Sequence, residues 1–314
     1  MLTTLLLIAA IVTGSLLGHF APEAGDWLGE QSDHTLLALV ALLFFGVRAA
    51  SLLRAAQHWR FLAIALAANF ALVPFIGYGV AATFLAAHPL FMVGLVIYFM
   101  SPCTDWFLGF TRLAGGNVAL GTMLIPVNMV VQLLLYPLYL YLFTRHVVAV
   151  EPGALRETLL HWFLLPLVIA TVTHQVLRLT LAADCCERIL AHADRLTPWV
   201  TALLVLQLFA GNIATLLAHS VVFVWVLLAV FVFFVLTFLL GEAVSRLFRL
   251  PYPEHALLTM TIAARNAPLM LAMTMAALPG QPLVYAALVI GMLVEFPHLT
   301  ALRQVLLAAR GRAA

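Results

Sequence analysis

No Asp, Glu, Lys or Arg interrupts residues 2–20, and apolar stretches of similar length recur along the chain as far as residue 308. About 20 apolar residues are what a helix needs to cross the hydrocarbon of a bilayer, where every backbone polar group must find its partner within the protein. Such a chain folds as a set of membrane-crossing helices. Of its 314 residues 65% are hydrophobic and 9% charged, against about 25% charged in a soluble domain. No stretch is polar enough for a separate water-facing domain. The opening run has no basic start and is followed by Glu23 and Asp26 rather than a small-residue cleavage site, so it is read as a retained first span.

Dividing the apolar runs at their charges predicts ten helices, over 2–20, 35–54, 61–87, 90–114, 117–144, 158–178, 196–216, 221–247, 255–278 and 282–308. The uncharged run 196–241 is too long for one crossing and is divided at Ala218-His219-Ser220. Most arginines, among them Arg48, Arg54, Arg60, Arg112, Arg246 and Arg249, then fall on one side, which the positive-inside rule makes the cytoplasm. Both termini are expected there, in a bacterial inner membrane. The spread of charge over loops offers no patch for nucleic acid. A loop near residue 155 divides the spans five and five, and an odd number per half inserts the second half upside down. The expected fold is therefore all-α and integral to the membrane, with inverted repeats at 1–152 and 153–314 and broken, crossing helices four and nine.

The breaks are visible in the sequence. Helix four carries "SPCTDW…LAGGN" and helix nine "ARNAPL…ALPGQ", each a polar, proline-containing interruption followed by a Gly-containing turn, about 165 positions apart. Paired interruptions of this kind in corresponding helices mark the binding site of a transporter near the bilayer midplane. Pro102 and Pro268 mark the breaks, because proline lacks an amide hydrogen and clashes with the preceding turn. Thr104 or Asp105 is expected to cap the restart of helix four and Asn266 that of helix nine, with Pro268 in its first turn.

Asp105 and Arg265 are the deepest charges, each costing about 3 kcal/mol at a helix centre if left alone, and an ion pair between them is expected. Both would equally serve as terminators of half-helices that never meet a solute. The expected substrate-binding set is Cys103, Thr104, Asp105, Arg265 and Asn266. Glu295, in "LVIGMLVEFP", is a carboxylate within a span and, with Asp105, a candidate carrier of the coupling ion; its plainer reading is an interfacial residue before Pro297. Asn128 stands at a similar place in helix five. Cys103, Cys185 and Cys186 make no disulfide framework, and the histidines fall at span ends without metal-ligand spacing. No metal or cofactor is expected. No P-loop occurs, so energy should come from an ion gradient. An intramembrane enzyme built on Cys103 or Asp105 would lack an identifiable base.

These stretches resemble the superfamily that contains bile acid sodium symporters and arsenical-resistance arsenite permeases. The resemblance is carried by "SPCTDWFLGFTRLAGGNVAL", "ARNAPLMLAMTMAAL" and "VIGMLVEFPHL", the last being nearer the arsenite permeases. It implies an essential cysteine in helix four, matched by Cys103, and an essential glutamate in helix ten, matched by Glu295. It also implies export of trivalent arsenic or antimony, thiophilic elements that travel as neutral hydroxides, in exchange for protons. In the sodium symporters, polar residues of helices four and nine hold sodium. Phe107, Leu108, Thr261 and Arg265 stand at those positions, so a proton is expected rather than sodium. The alternative cargo is an organic anion, whose carboxylate Arg265 would bind. The partners implied are thus the lipid bilayer and a small-molecule substrate.

Overall fold

The computed structural model describes residues 2–45, 58–104, 106–144, 165–180 and 183–313. Helices account for almost all of them, and no strand occurs among the described residues. They are α1 (Leu2–Phe20), α2 (Pro22–Glu30), α3 (Ser32–Phe45), α4 (Trp59–Ala67), α5 (Val73–Leu85), α6 (Pro89–Phe99), α7 (Phe107–Leu113), α8 (Val118–Thr144), α9 (Leu165–Thr180), α10 (Ala183–Ala218), α11 (Val222–Leu247), α12 (Tyr252–Ala263), α13 (Ala267–Ala277) and α14 (Pro282–Ala313). Among the described residues, five helical stretches are long and apolar enough to cross a membrane: Trp59–Leu85, Val118–Phe143, Arg188–Ala218, Val222–Leu247 and Pro282–Arg310. Shorter apolar helices include Thr4–Phe20, Ser32–Phe45, Pro89–Phe99 and Ala267–Ala277.

Several boundaries differ from the sequence reading. Residues 22–30, expected as loop, form α2, which starts with Pro22 and has Glu23 in its first turn, both favourable at a helix N-terminus. The helix expected from 196 begins at Ala183, because its first turns are polar and escape a search for apolar runs. The long uncharged run does divide after Ala218, with α11 starting at Val222. The expected link between the two halves, with Arg145, Glu151, Arg156 and Glu157, lies outside the described residues.

The chain forms two compact units. One comprises Met1–Arg48, Ala149–Ser220 and Pro268–Val289, the other Ala49–Val148, Val221–Ala267 and Ile290–Ala314. In the first unit, α1 and α2 lie directly against α10. A methyl group added at Gly14 or Gly18 would run into the main-chain carbonyls of Leu206 or Ala210, and one at Gly25 would lie 2.7 Å from the Ala210 carbonyl oxygen. Only glycine permits this approach.

In the second unit, α4 and α5 join through a π-helical turn, Ala68–Leu72, just before Pro74. Pro74 has no N–H for the carbonyl four residues back, and an inserted wide turn relieves the clash of its ring. That carbonyl belongs to Phe70, and it accepts a hydrogen bond from the Tyr139 hydroxyl instead. Tyr98 packs against Gly291, where a methyl group would lie 2.8 Å from the tyrosine ring. Phe99 stacks on Phe233 at 3.8 Å between centroids.

Candidate functional site

The second unit contains the two interruptions. Helix α6 ends at Phe99 and α7 starts at Phe107, while α12 ends at Ala263 and α13 starts at Ala267. Between those ends two short segments meet as an isolated antiparallel bridge, Pro102 opposite Arg265. The flanking residues make the hydrogen bonds. Cys103 N–H donates to Ala264 O at 3.0 Å, and Asn266 N–H donates to Ser101 O at 2.9 Å. Each unwound segment thereby satisfies backbone groups of the other, as a non-aqueous setting demands. Pro102 and Arg265 themselves form a pair without mutual hydrogen bonds. The missing amide of Pro102 costs nothing there, and the N–H of Arg265 is left pointing outward.

That N–H donates to Glu295 Oε1 at 2.9 Å. The same oxygen accepts from Trp106 Nε1 at 2.8 Å, and Glu295 Oε2 accepts from the Tyr98 hydroxyl at 3.1 Å. The Tyr98 hydroxyl also lies 3.0 Å from Gly291 O, so its single proton has two acceptors. Glu295 is fully buried.

Among the described residues, Arg265 is one of the largest side chains that are fully buried. Its Nη1 donates to Phe99 O at 2.8 Å, and its Nη2 donates to Thr261 O at 3.1 Å and to Ile262 O. These carbonyls belong to the last turns of α6 and α12, where four carbonyls of every helix lack an intrahelical partner and the macrodipole is negative. The guanidinium thus caps two half-helices at once. It also stands 5.8 Å from the centroid of the Phe233 ring.

The expected site residues are distributed as follows. Cys103, Arg265, Asn266, Thr104 and Glu295 all lie at the crossing or are bonded to it, with Asn266 Nδ2 donating to Thr104 Oγ1 at 2.9 Å. Thr104 does not cap α7; the residue before that helix is Trp106, which makes no side-chain cap bond. Thr104 stands two residues before that N-cap position. Pro268 falls in the first turn of α13. Asp105, and with it the expected ion pair to Arg265, lies outside the described residues.

One helical turn before Arg265 is a group that sequence reasoning largely missed. Thr261 Oγ1 accepts from Asn69 Nδ2 at 3.2 Å and from Asn128 Nδ2 at 3.4 Å. Asn69 sits in the π-helical turn. Gln132 follows Asn128 by four positions and shares its face of α8. All four residues are buried. A signal was present: Asn128 and Gln132 are amides spaced by one turn in an otherwise apolar run, "PVNMVVQLLL".

The sequence profile described as the sodium bile acid symporter family matches residues 35–219, more than half of the chain. The chain belongs to this family. It is a multi-pass membrane protein of a symporter family, which accounts for its succession of apolar helices and for two broken helices meeting at a polar centre. The matched stretch holds Pro102, Cys103 and Thr104, while the symporter-family match ends before α12 and α14, which position Arg265 and Glu295. No curated protein matches the chain.

Proposed function

We propose that the protein is a secondary transporter that exports a small trivalent metalloid, arsenite or antimonite, in exchange for protons. The observation that carries this reading is the meeting of Cys103 and Glu295 at one crossing: Cys103 is hydrogen-bonded to Ala264, and Glu295 to the next residue, Arg265. A thiol is the soft ligand that trivalent arsenic and antimony select. A carboxylate nearby can accept and release a proton as the cargo passes. Glu295 Oε2 is the oxygen that takes it, since Oε1 holds two N–H donors and Oε2 only the Tyr98 hydroxyl. Turning that hydroxyl toward Gly291 O frees the lone pair.

Ten spans in two inverted repeats, 1–152 and 153–314, with both termini in the cytoplasm of a bacterium, complete the proposal. The matched breaks and the arginine distribution support it.

The family description supports a second reading, sodium-coupled uptake of an organic anion. Half-helix carbonyls are where such carriers hold sodium. Here Arg265 occupies the carbonyls of Phe99, Thr261 and Ile262, which supports coupling without sodium at that place, while Arg265 Nε, buried without a partner among the described residues, keeps a donor that a substrate carboxylate could use. The test is arsenite and antimonite accumulation in cells lacking metalloid efflux, with Cys103→Ser and Glu295→Gln alongside. Lower accumulation with the unaltered protein alone supports export. Equal accumulation in all strains at equal expression refutes it, and sodium-dependent uptake of an organic anion in proteoliposomes would establish the second reading.

A further inference from the structure

Helix α11 ends in a turn that normally takes glycine. Leu250 N–H donates to Ser245 O at 2.9 Å and Arg249 N–H to Arg246 O at 3.2 Å, the pairing of a Schellman motif, in which the residue after the cap adopts a left-handed backbone. That residue is Arg249, with φ of 51°, and among the described residues it is the one residue other than glycine with positive φ. A side chain there strains the backbone. The dipole of the helix does not require it, since Arg246 already stands in the last turn.

Arg249 lines a cavity of about 580 Å³ within the second unit, together with Arg60 and Glu254, a size usual for small-molecule sites. No ion pair joins either arginine to Glu254 or to another carboxylate among the described residues. Two guanidiniums against one carboxylate leave the cavity a net positive charge. The start of α4 adds to it: His58, also in the lining, makes no side-chain cap to the first N–H groups of that helix, whose dipole is positive at this end.

The cavity stands at the level of lipid headgroups. The apolar stretch Trp59–Leu85 starts in its lining and Val222–Leu247 ends in it. Trp59, Leu247 and Phe248, next to the arginines in the chain, expose large apolar side chains. Tryptophan at the end of a span marks the membrane–water interface, and basic pockets between membrane helices take lipid headgroups. A soluble anion would leave that apolar rim in water.

We propose that this cavity binds the headgroup of an anionic phospholipid, with Arg60 and Arg249 on the phosphate diester, headgroup hydroxyls donating to Glu254, and acyl chains against Trp59, Leu247 and Phe248. Phosphatidylglycerol has this chemistry, a single negative charge with hydroxyl donors. The site is independent of the solute carried.

Melting of the purified full-length protein in neutral detergent tests it, as phosphatidylglycerol, phosphatidylcholine or the soluble headgroup glycerophosphoglycerol is added. The chains compared are the unaltered protein, Arg60→Gln, Arg249→Gly and Arg195→Gln, the last altering an exposed arginine of the first unit. Phosphatidylglycerol should raise the melting temperature, and the other two additions should not. The concentration giving half of the rise should increase about tenfold in Arg60→Gln and in Arg249→Gly, as loss of one hydrogen bond to a charged group implies, and stay unchanged in Arg195→Gln. Without lipid, Arg249→Gly should melt at least as high as the parent, because glycine relieves the left-handed turn. No rise with phosphatidylglycerol overturns the site, as does the same rise at the same concentration in every variant, which would mean general attraction to a basic protein. An equal rise with glycerophosphoglycerol would make the ligand a soluble anion and overturn the lipid. An Arg249→Gly chain that melts well below the parent without lipid would show that the arginine serves the fold, and overturns the proposal too.

Discussion

Glu295 holds the main-chain N–H of Arg265 at 2.9 Å, while the guanidinium of that same residue turns to the carbonyls of Phe99, Thr261 and Ile262. One residue therefore links the final helix to both broken helices, its backbone serving the first and its side chain the others. The carboxylate is fixed by donors that no side-chain substitution at position 265 removes.

Glu295→Gln should fold, since the amide oxygen can still accept from Arg265 N–H and Trp106 Nε1. It should lose coupling. In proteoliposomes the variant is expected to retain exchange of substrate for substrate and to lose at least about tenfold in transport driven by an imposed pH gradient, the order of magnitude assigned to a positioned acid or base. Unchanged gradient-driven flux would remove Glu295 from the coupling step.

Arg265→Ala leaves the carbonyls at the ends of α6 and α12 without their donor. Breaking such a buried arrangement costs about 3–5 kcal/mol, seen as a large fall in melting temperature. Guanidinium chloride at low millimolar concentration should restore part of the loss, whereas sodium chloride at equal ionic strength should not. Equal recovery with sodium would mean that the pocket accepts any cation.

Tyr139→Phe strips the Phe70 carbonyl of its hydroxyl donor and should destabilise the protein by about 1–3 kcal/mol. In a Pro74→Ala background the penalty should shrink, because residue 74 regains an N–H that can serve the same carbonyl. A double-mutant cycle on thermal unfolding measures the coupling; additive costs would refute the pairing of proline and tyrosine.

Gly18→Ala should lower stability by about 1–3 kcal/mol, the usual cost of overpacking, because the added methyl group meets the main-chain carbonyl of Ala210 and not a movable side chain. Gly79→Ala, with nothing within 4 Å of the new carbon, is the control and should melt as the parent does.

The breaks could be read in the sequence because Pro102 and the polar residues around Arg265 stand out in apolar surroundings, and Glu295 stood out as a carboxylate in a span. The partners of these residues could not. Arg265 binds main-chain carbonyls, which every residue possesses and no composition reveals, and its tie to Glu295 runs through a backbone N–H left spare by the register in which the two segments pair. Helix α2 was hidden for a different reason, since a helix of 9 residues that includes Glu23, Asp26 and Glu30 is too short and too polar to stand out as an apolar run. The amide of Asn69 is a single polar group in a long apolar run, and its meeting with Asn128 at Thr261 depends on helices distant in sequence.

Where α1 and α2 touch α10 at Gly14, Gly18 and Gly25, main chain lies on main chain with no layer of side chains between. Sliding of one such helix along another normally proceeds by side chains hopping between rotamers, and here there are none to hop. These three helices must travel as a single slab, so whatever rearrangement admits and expels a solute has to be accommodated at other seams.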